Sequence, residues 1–293
     1  MNKIVIIAGP TASGKSNLAI QMAQNFNGEI ISADSMQIYR SLDIGTAKPT
    51  KEEQNIVTHH LIDIIDFTAS YSVADFVVEA DKIIADIISR GKLPIVVGGT
   101  GLYVKALLGL QKLEYAASDA NEVSVLKSYE LSELVTELKM IDAKQALNVD
   151  LKNKQRIIRA IQIARHGKKK IQKSRPTYES LTIALDWPRN VLYERINTRA
   201  SYMVQQGILN EATAILEAGG ENLQAGKAIG YKEFFPYLQG QIDLDMAIEQ
   251  LKQDSRRYAK RQLTYLRHQI PGLIWLDGMQ AETQLTNKLQ RWI

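Results

Sequence analysis

Apolar and polar positions fall into two kinds of block along this chain. Five short runs, 4–8, 29–32, 94–97, 181–185 and 273–276, are dominated by aliphatic residues and flanked by glycine, proline or polar residues. Runs of that length and make-up predict strands buried on both faces. Between them, apolar residues recur at helical spacing, as over 73–90 and 102–108. Strands alternating with amphipathic helices predict a parallel α/β sheet covered by helices on both faces.

Residues 111–180 interrupt that rhythm. Leu126, Leu131, Leu134, Leu138, Ile141 and Leu147, then Ile157, Ile158, Ile161 and Ile163, read as helices with no strand among them. The pattern thus predicts a sheet core built from 1–110 and 181–293, with a helical insertion at 111–180. Beyond 188 the chain is again mostly helical until the last strand. Its longest helix, expected over 243–268, turns Ile248, Leu251, Ala259 and Leu266 toward the core.

Composition narrows the chemistry. At 293 residues the chain can bury a sizeable interior. No apolar run reaches the length of a membrane-crossing helix, and the N-terminus leads straight into a strand, so neither a membrane span nor a signal peptide is expected. Cysteine is absent, which excludes disulfides, iron–sulfur clusters, thiolate zinc sites and cysteine nucleophiles. His59, His60, His166 and His268 are too scattered for a histidine metal site. A cytoplasmic enzyme using oxygen-ligated Mg²⁺ fits best. The net charge is only +4, but the cations cluster. Lys168, Lys169, Lys170, Lys173 and Arg175 form one group; Lys252, Arg256, Arg257, Lys260, Arg261 and Arg267 form another. Such patches suit a polyanion, and equally a solvated helix face.

The first strand runs into Gly9-Pro10-Thr11-Ala12-Ser13-Gly14-Lys15-Ser16, which fits the phosphate-loop pattern G-x-x-x-x-G-K-[ST]. A strand, a glycine loop and a helix N-terminus make an anion cradle. Backbone amides point inward, the helix dipole favours negative charge, Lys15 adds a cation, and the Ser16 hydroxyl can ligate Mg²⁺. The second strand leads to Asp34-Ser35-Met36-Gln37, where a carboxylate faces the crevice at the strand's C-terminal end. Asp34 there suits a general base or a Mg²⁺-water ligand, and also a helix N-cap. The strand at 94–97 ends in Gly98-Gly99-Thr100, where a nucleoside triphosphatase usually keeps an Asp for Mg²⁺. No residue stands out to activate water, so transfer to a bound acceptor fits better than hydrolysis. On the insertion, Gln155 and Arg159 are helical neighbours with Arg156 alongside. On the last long helix, Lys252, Arg256 and Lys260 form one stripe beside Arg257 and Arg261, interleaved with Tyr258 and Tyr265.

Six segments in order resemble the bacterial tRNA dimethylallyltransferases, also called tRNA isopentenyltransferases. They are GPTASGKS from Gly9, ADSMQIYRSLDIGTAKP from Ala33, HHLID from His59, GGTGLY from Gly98, QRIIRA from Gln155, and AIGYKE with RRYAKRQ. The resemblance implies a P-loop NTPase-like sheet with a helical insertion and a helical C-terminal region. It implies transfer of a dimethylallyl group from dimethylallyl diphosphate to N6 of the adenosine 3′ of the anticodon, in tRNAs reading codons that begin with U. In that reading Gly9 to Ser16 hold the diphosphate with Mg²⁺ on Ser16, Lys15 stabilises the leaving group, Asp34 is the general base, and Thr100 lies near the reacting adenine, where its hydroxyl can hydrogen-bond Asp34 or N6. Asp34, Ser35, Met36, Gln37, Thr100, Gln155, Arg156, Ile157, Ile158, Arg159, Arg256, Arg257 and Lys260 then meet the anticodon stem-loop of tRNA, with the enzyme acting as a monomer. Lys227 departs from the family pattern, which often has glutamine there, and the start of the insertion is short. A small-molecule kinase and a GTPase-like RNA-binding switch share the loop. The kinase leaves the basic helix and the insertion without a purpose, and the switch needs an N-K-x-D-like motif that the sequence lacks.

Overall fold

The computed structural model describes residues 2–111, 113, 115, 118–167 and 175–293. Among them, six strands form one parallel sheet: β1 (Asn2–Ala8), β2 (Gly28–Ser32), β3 (His59–His60), β4 (Leu93–Gly98), β5 (Tyr178–Asp186) and β6 (Ile274–Asp277). They lie in the order β3-β2-β4-β1-β5-β6. The expected α/β architecture is thus present, and 4–8 of β1 are buried along their whole length, as a central strand requires. Val5 and Ile7 pack on one face against Leu18, Met22, Leu285 and Leu289 from the helices Lys15–Asn25 and Ala281–Trp292. Helices Val73–Ser89 and Gly101–Leu107 also pack on the sheet.

The register places the site. Ala8 pairs with Gly98 of β4 and with Ala184 of β5, and Ser32 of β2 pairs with Val97. The C-terminal ends of β1, β2 and β4 therefore sit side by side, and the chain leaving each one enters the same crevice.

Two differences from the expected elements have physical causes. β3 is only two histidines long, pairing with Ile30 and Ile31, too short to leave a hydrophobic period. β5 begins at Tyr178, inside the segment read as insertion. Its first residues, Tyr178, Glu179 and Ser180, pair with Asn2, Lys3 and Ile4, and their polar character hid the strand. The last long helix spans Leu244–Gln269, with Asp243 as its N-cap accepting from the Met246 amide at 2.8 Å. Ala247, rather than the half-buried Ile248, is the buried residue of its first turns.

Two compact units result: Met1–Gln111 with Pro176–Ile293, and Lys112–Arg175. The second holds helices Ala120–Ser128, Leu131–Ile141, Ala143–Ala146 and Lys154–His166, and no strand among its described residues. Leu126, Leu134, Leu138, Ile157 and Ile161 form its own core. The expected basic group at Lys168, Lys169, Lys170 and Lys173 lies outside the described residues.

Candidate active site

The loop 9–14 lies between a strand and a helix, as the sequence predicts. β1 ends at Ala8, and the helix Lys15–Asn25 starts directly after Gly14, which takes a left-handed φ of 89°. The loop is braced from outside. Trp187 donates through its indole N–H to the Ser13 carbonyl at 2.9 Å, and Arg195 donates to the Ala12 carbonyl at 2.9 Å. The Arg195 guanidinium stacks 4.5 Å from the Trp187 ring centre. Gln262, buried on the helix Leu244–Gln269, accepts from the Thr11 amide at 2.9 Å and donates to the Gly99 carbonyl at 2.9 Å. One side chain of the basic helix thus fixes both the phosphate loop and the end of β4. Bracing of this kind pre-pays the ordering of the cradle before a ligand arrives.

The glycines at the end of β4 serve protein packing more than ligand access. A Cβ at Gly98 would fall 2.1 Å from the Ala33 carbonyl oxygen, and one at Gly99 would fall 2.3 Å from Nε2 of Gln262. Thr100 accepts from the Ser35 amide at 3.1 Å and donates to the Ser35 hydroxyl at 3.3 Å. Its hydroxyl therefore holds the turn that carries Asp34, rather than bonding Asp34 itself. Asp34 accepts from the Met36 amide at 2.9 Å, an Asx turn with no helix after it, so the N-cap reading does not hold.

Lys15, Ser16, Asp34, Arg199, Tyr258 and Arg261 are among the residues that line one cavity of about 360 Å³. The Lys15 ammonium donates weakly to the Pro10 carbonyl at 3.4 Å. Burial brings its pKa down to about 8; Asp34 opposes that shift and Arg199 adds to it. Burial also lowers Arg199, with Asp34 again opposing. Among the described residues no ion pair joins Asp34 to either cation. Two cations crowded together, each depressed by burial, favour an anion between them. Tyr258, pushed up to about 12 by burial, stays a hydroxyl donor.

Arg199 and Arg261 were missed in the expected site. Arg199 had a signal, since it follows Arg195 at helical spacing on Arg189–Gln205. Arg261 belonged to the basic stripe and stacks 5.6 Å from Tyr258. The other helix cations divide. Arg256 donates to Asn197 at 2.6 Å, Arg257 pairs with Asp254 at 3.3 Å, and Lys260 is exposed. Tyr265 packs its ring where a Cβ on Gly101 would lie, so it is packing rather than a stacking platform.

In the second unit, Gln155 and Arg156 are exposed on the helix Lys154–His166, and Arg159 is partly exposed there. Ile157 and Ile158, included among the expected RNA contacts, are instead buried in that unit's core. Apolar side chains at those positions face inward by helical period, so contact along this helix falls to its polar neighbours.

Among the described residues no group of three or more His, Cys, Asp and Glu side chains is arranged to hold a metal. Ser16 beside Asp34 on the cavity wall fits the sparse protein ligation typical of Mg²⁺, which keeps substrate phosphate and water oxygens for its other positions. No helix among the described residues is long and apolar enough to cross a membrane.

The sequence model of the IPP transferase family matches residues 37–269. A protein of Leuconostoc mesenteroides named tRNA dimethylallyltransferase is 71% identical, over 100% of this chain and 99% of that protein. One of Leuconostoc citreum with the same name is 63% identical over 100% of both. Among solved structures, a tRNA isopentenylpyrophosphate transferase of Bacillus halodurans superposes with a TM-score of 0.74 at 41% identity, covering 99% of this chain and 98% of that one. A eukaryotic dimethylallyltransferase described as acting on tRNA gives 0.82 at 31% identity, covering 99% of this chain and 78% of its own.

Proposed function

The chain belongs to the IPP transferase family, and from that premise we propose that it is a tRNA dimethylallyltransferase acting on N6 of the adenosine 3′ of the anticodon in tRNAs reading U-starting codons. The observation that carries the reading is the cavity where the cations Lys15 and Arg199 meet Asp34 without neutralising it.

The adenine N6 lone pair is delocalised into its ring, so the reaction needs help at both ends. At one end the bond from the allylic carbon to the diphosphate oxygen breaks. The loop amides, Lys15, Arg199 and Arg261 receive the negative charge that builds on the diphosphate. At the other end the bond from N6 to that carbon forms, and the N6 proton passes to Asp34. Thr100 keeps Asp34 aimed by holding Ser35. Ser16 would hold Mg²⁺, which when bound would supply further charge neutralisation on the leaving group.

The adenine has to leave its stack to reach this crevice, as in other base-modifying enzymes. The anticodon stem-loop meets Ser35, Met36 and Gln37 at the cavity, Arg257 and Lys260 on the basic helix, and Gln155, Arg156 and Arg159 on the insertion. The enzyme works as a monomer in the cytoplasm.

The test is incubation with unmodified tRNA, dimethylallyl diphosphate and Mg²⁺, followed by mass spectrometry of the nucleosides. Isopentenyladenosine is the expected product. Its absence, or transfer of a γ-phosphate from ATP instead, would overturn the proposal in favour of a kinase.

A further inference from the structure

We infer that Glu211 is a positioning residue for the acceptor, fixing the loop 43–47 as a neutral wall of the reaction cavity. The inference rests on the proposed reaction only in taking tRNA as the acceptor.

Glu211 sits in the first turn of the helix Ile208–Glu217. One carboxylate oxygen accepts from the Asp43 and Ile44 amides, both at 2.8 Å. The other accepts from the Gly45 amide at 3.1 Å and from the Tyr231 hydroxyl at 2.8 Å. Three successive amides converging on one point form an anion nest. Here the anion comes from the protein, so the nest fastens a loop instead of binding a ligand.

The partners suit that purpose. Tyr231 is fully buried; burial and then the Glu211 charge hold its hydroxyl well above its ordinary pKa, so it remains a donor. A Cβ on Gly45 would lie 2.5 Å from the Tyr231 ring, so any larger residue would push the loop off its anchor. From the other side, Gln37 donates to the Thr46 and Ala47 carbonyls at 3.4 and 3.2 Å. Beneath, the buried Lys48 ammonium binds Asp43 and Asp63, each at 2.6 Å. Ala47 holds a left-handed φ of 45°, a conformation that a non-glycine residue keeps only when its surroundings over-determine it.

The loop's own contribution to the cavity is Gly45, Thr46 and Ala47, none of them charged. The cationic lining comes from Lys15, Arg199, Lys227 and Arg261, none of them on this loop. A neutral wall offers little to a diphosphate and suits a neutral base. Loosening it should therefore weaken tRNA use and leave the diphosphate end alone.

The experiment compares Glu211→Gln with the unaltered enzyme in steady-state kinetics, varying each substrate in turn, with hydrogen exchange at the amides of Asp43, Ile44 and Gly45. A neutral amide cannot hold three donors and a hydroxyl, so KM for tRNA is expected to rise about ten-fold, the scale of a lost charge-assisted hydrogen bond. KM for dimethylallyl diphosphate should stay unchanged even where the thermal midpoint falls, and exchange at the three amides should quicken. Unaltered kinetics, or a drop in kcat that follows the thermal midpoint with both KM values constant, would overturn the inference. If Glu211→Gln does not fold, Tyr231→Phe carries the test: the same selective change is expected at smaller size, and no change in KM for tRNA counts against it. Inactivity of the unaltered enzyme would instead strike the proposed reaction, while the exchange result still judges the anchor.

Discussion

One strand bears a carboxylate near each end, and the two are treated in opposite ways. Glu29, in β2, is 3% exposed and fully matched. It binds Arg90 through both terminal guanidinium nitrogens, Lys92 at 2.7 Å and His60 at 2.8 Å. Those partners, Arg90 foremost, hold its carboxyl far below the usual range. Asp34, two residues beyond β2, accepts one backbone hydrogen bond and faces a cavity it shares with Lys15, Arg199, Lys227 and Arg261. A buried charge with its partners in place stabilises the fold; charges left apart in a cavity await a ligand. The same strand thus separates structural from chemical electrostatics along its length.

Exchanging the carboxylates for amides should break the two ends differently. Asp34→Asn is expected to cut single-turnover transfer by about a thousand-fold, the scale of a lost general base, while the thermal midpoint and tRNA affinity hold. If affinity is lost instead, Asp34 is a docking residue. Glu29→Gln should do the reverse: loss of about 2 kcal/mol in urea unfolding, for a buried carboxylate whose partners are partly solvated, with turnover retained. Its pH dependence carries a sign. Because the folded carboxyl titrates below its ordinary 4.5, its contribution is complete above that value and fades as pH falls beneath it. Between pH 6 and pH 3, about the upper part of that fade, the difference between the two proteins' unfolding curves should narrow.

At the site end, Lys15 loses its proton near pH 8, below its ordinary 10.5. The cation is present below that pH and lost above it, so kcat/KM for dimethylallyl diphosphate should fall about ten-fold per pH unit above pH 8. Lys15→Arg should move that limb upward; a limb that stays in place assigns it to another group. The smallest effect is expected on the basic helix. Removing Arg257 and Lys260 should lower the salt slope of tRNA binding by about one unit per phosphate contact. Arg256→Ala should change it less, since that guanidinium already serves Asn197.

The contrast also explains what was legible in the sequence. The placement of the glycine loop 9–14 and of Asp34 at the crevice was, because strand, glycine loop and helix follow one another in the chain and the strand-end position is a topological rule. Glu29 gave no signal, since Arg90, Lys92 and His60 reach it only through the pairing of β2 with β3 and β4. Gln262 and Glu211 escaped for the same reason, each acting on backbone groups more than 160 positions away. Ile157 and Ile158 illustrate the opposite error: a motif extended RNA contact to residues whose helical period buries them.

The most direct test of the unmatched cavity is calorimetric titration of inorganic diphosphate with Mg²⁺ at pH 7, about one unit below the Lys15 transition. The unaltered protein and Glu29→Gln should bind one equivalent with the same affinity, and Lys15→Met with Arg199→Met should weaken it at least about a hundred-fold, the scale of two charge-assisted contacts. Equal affinity in all three proteins would contradict the account.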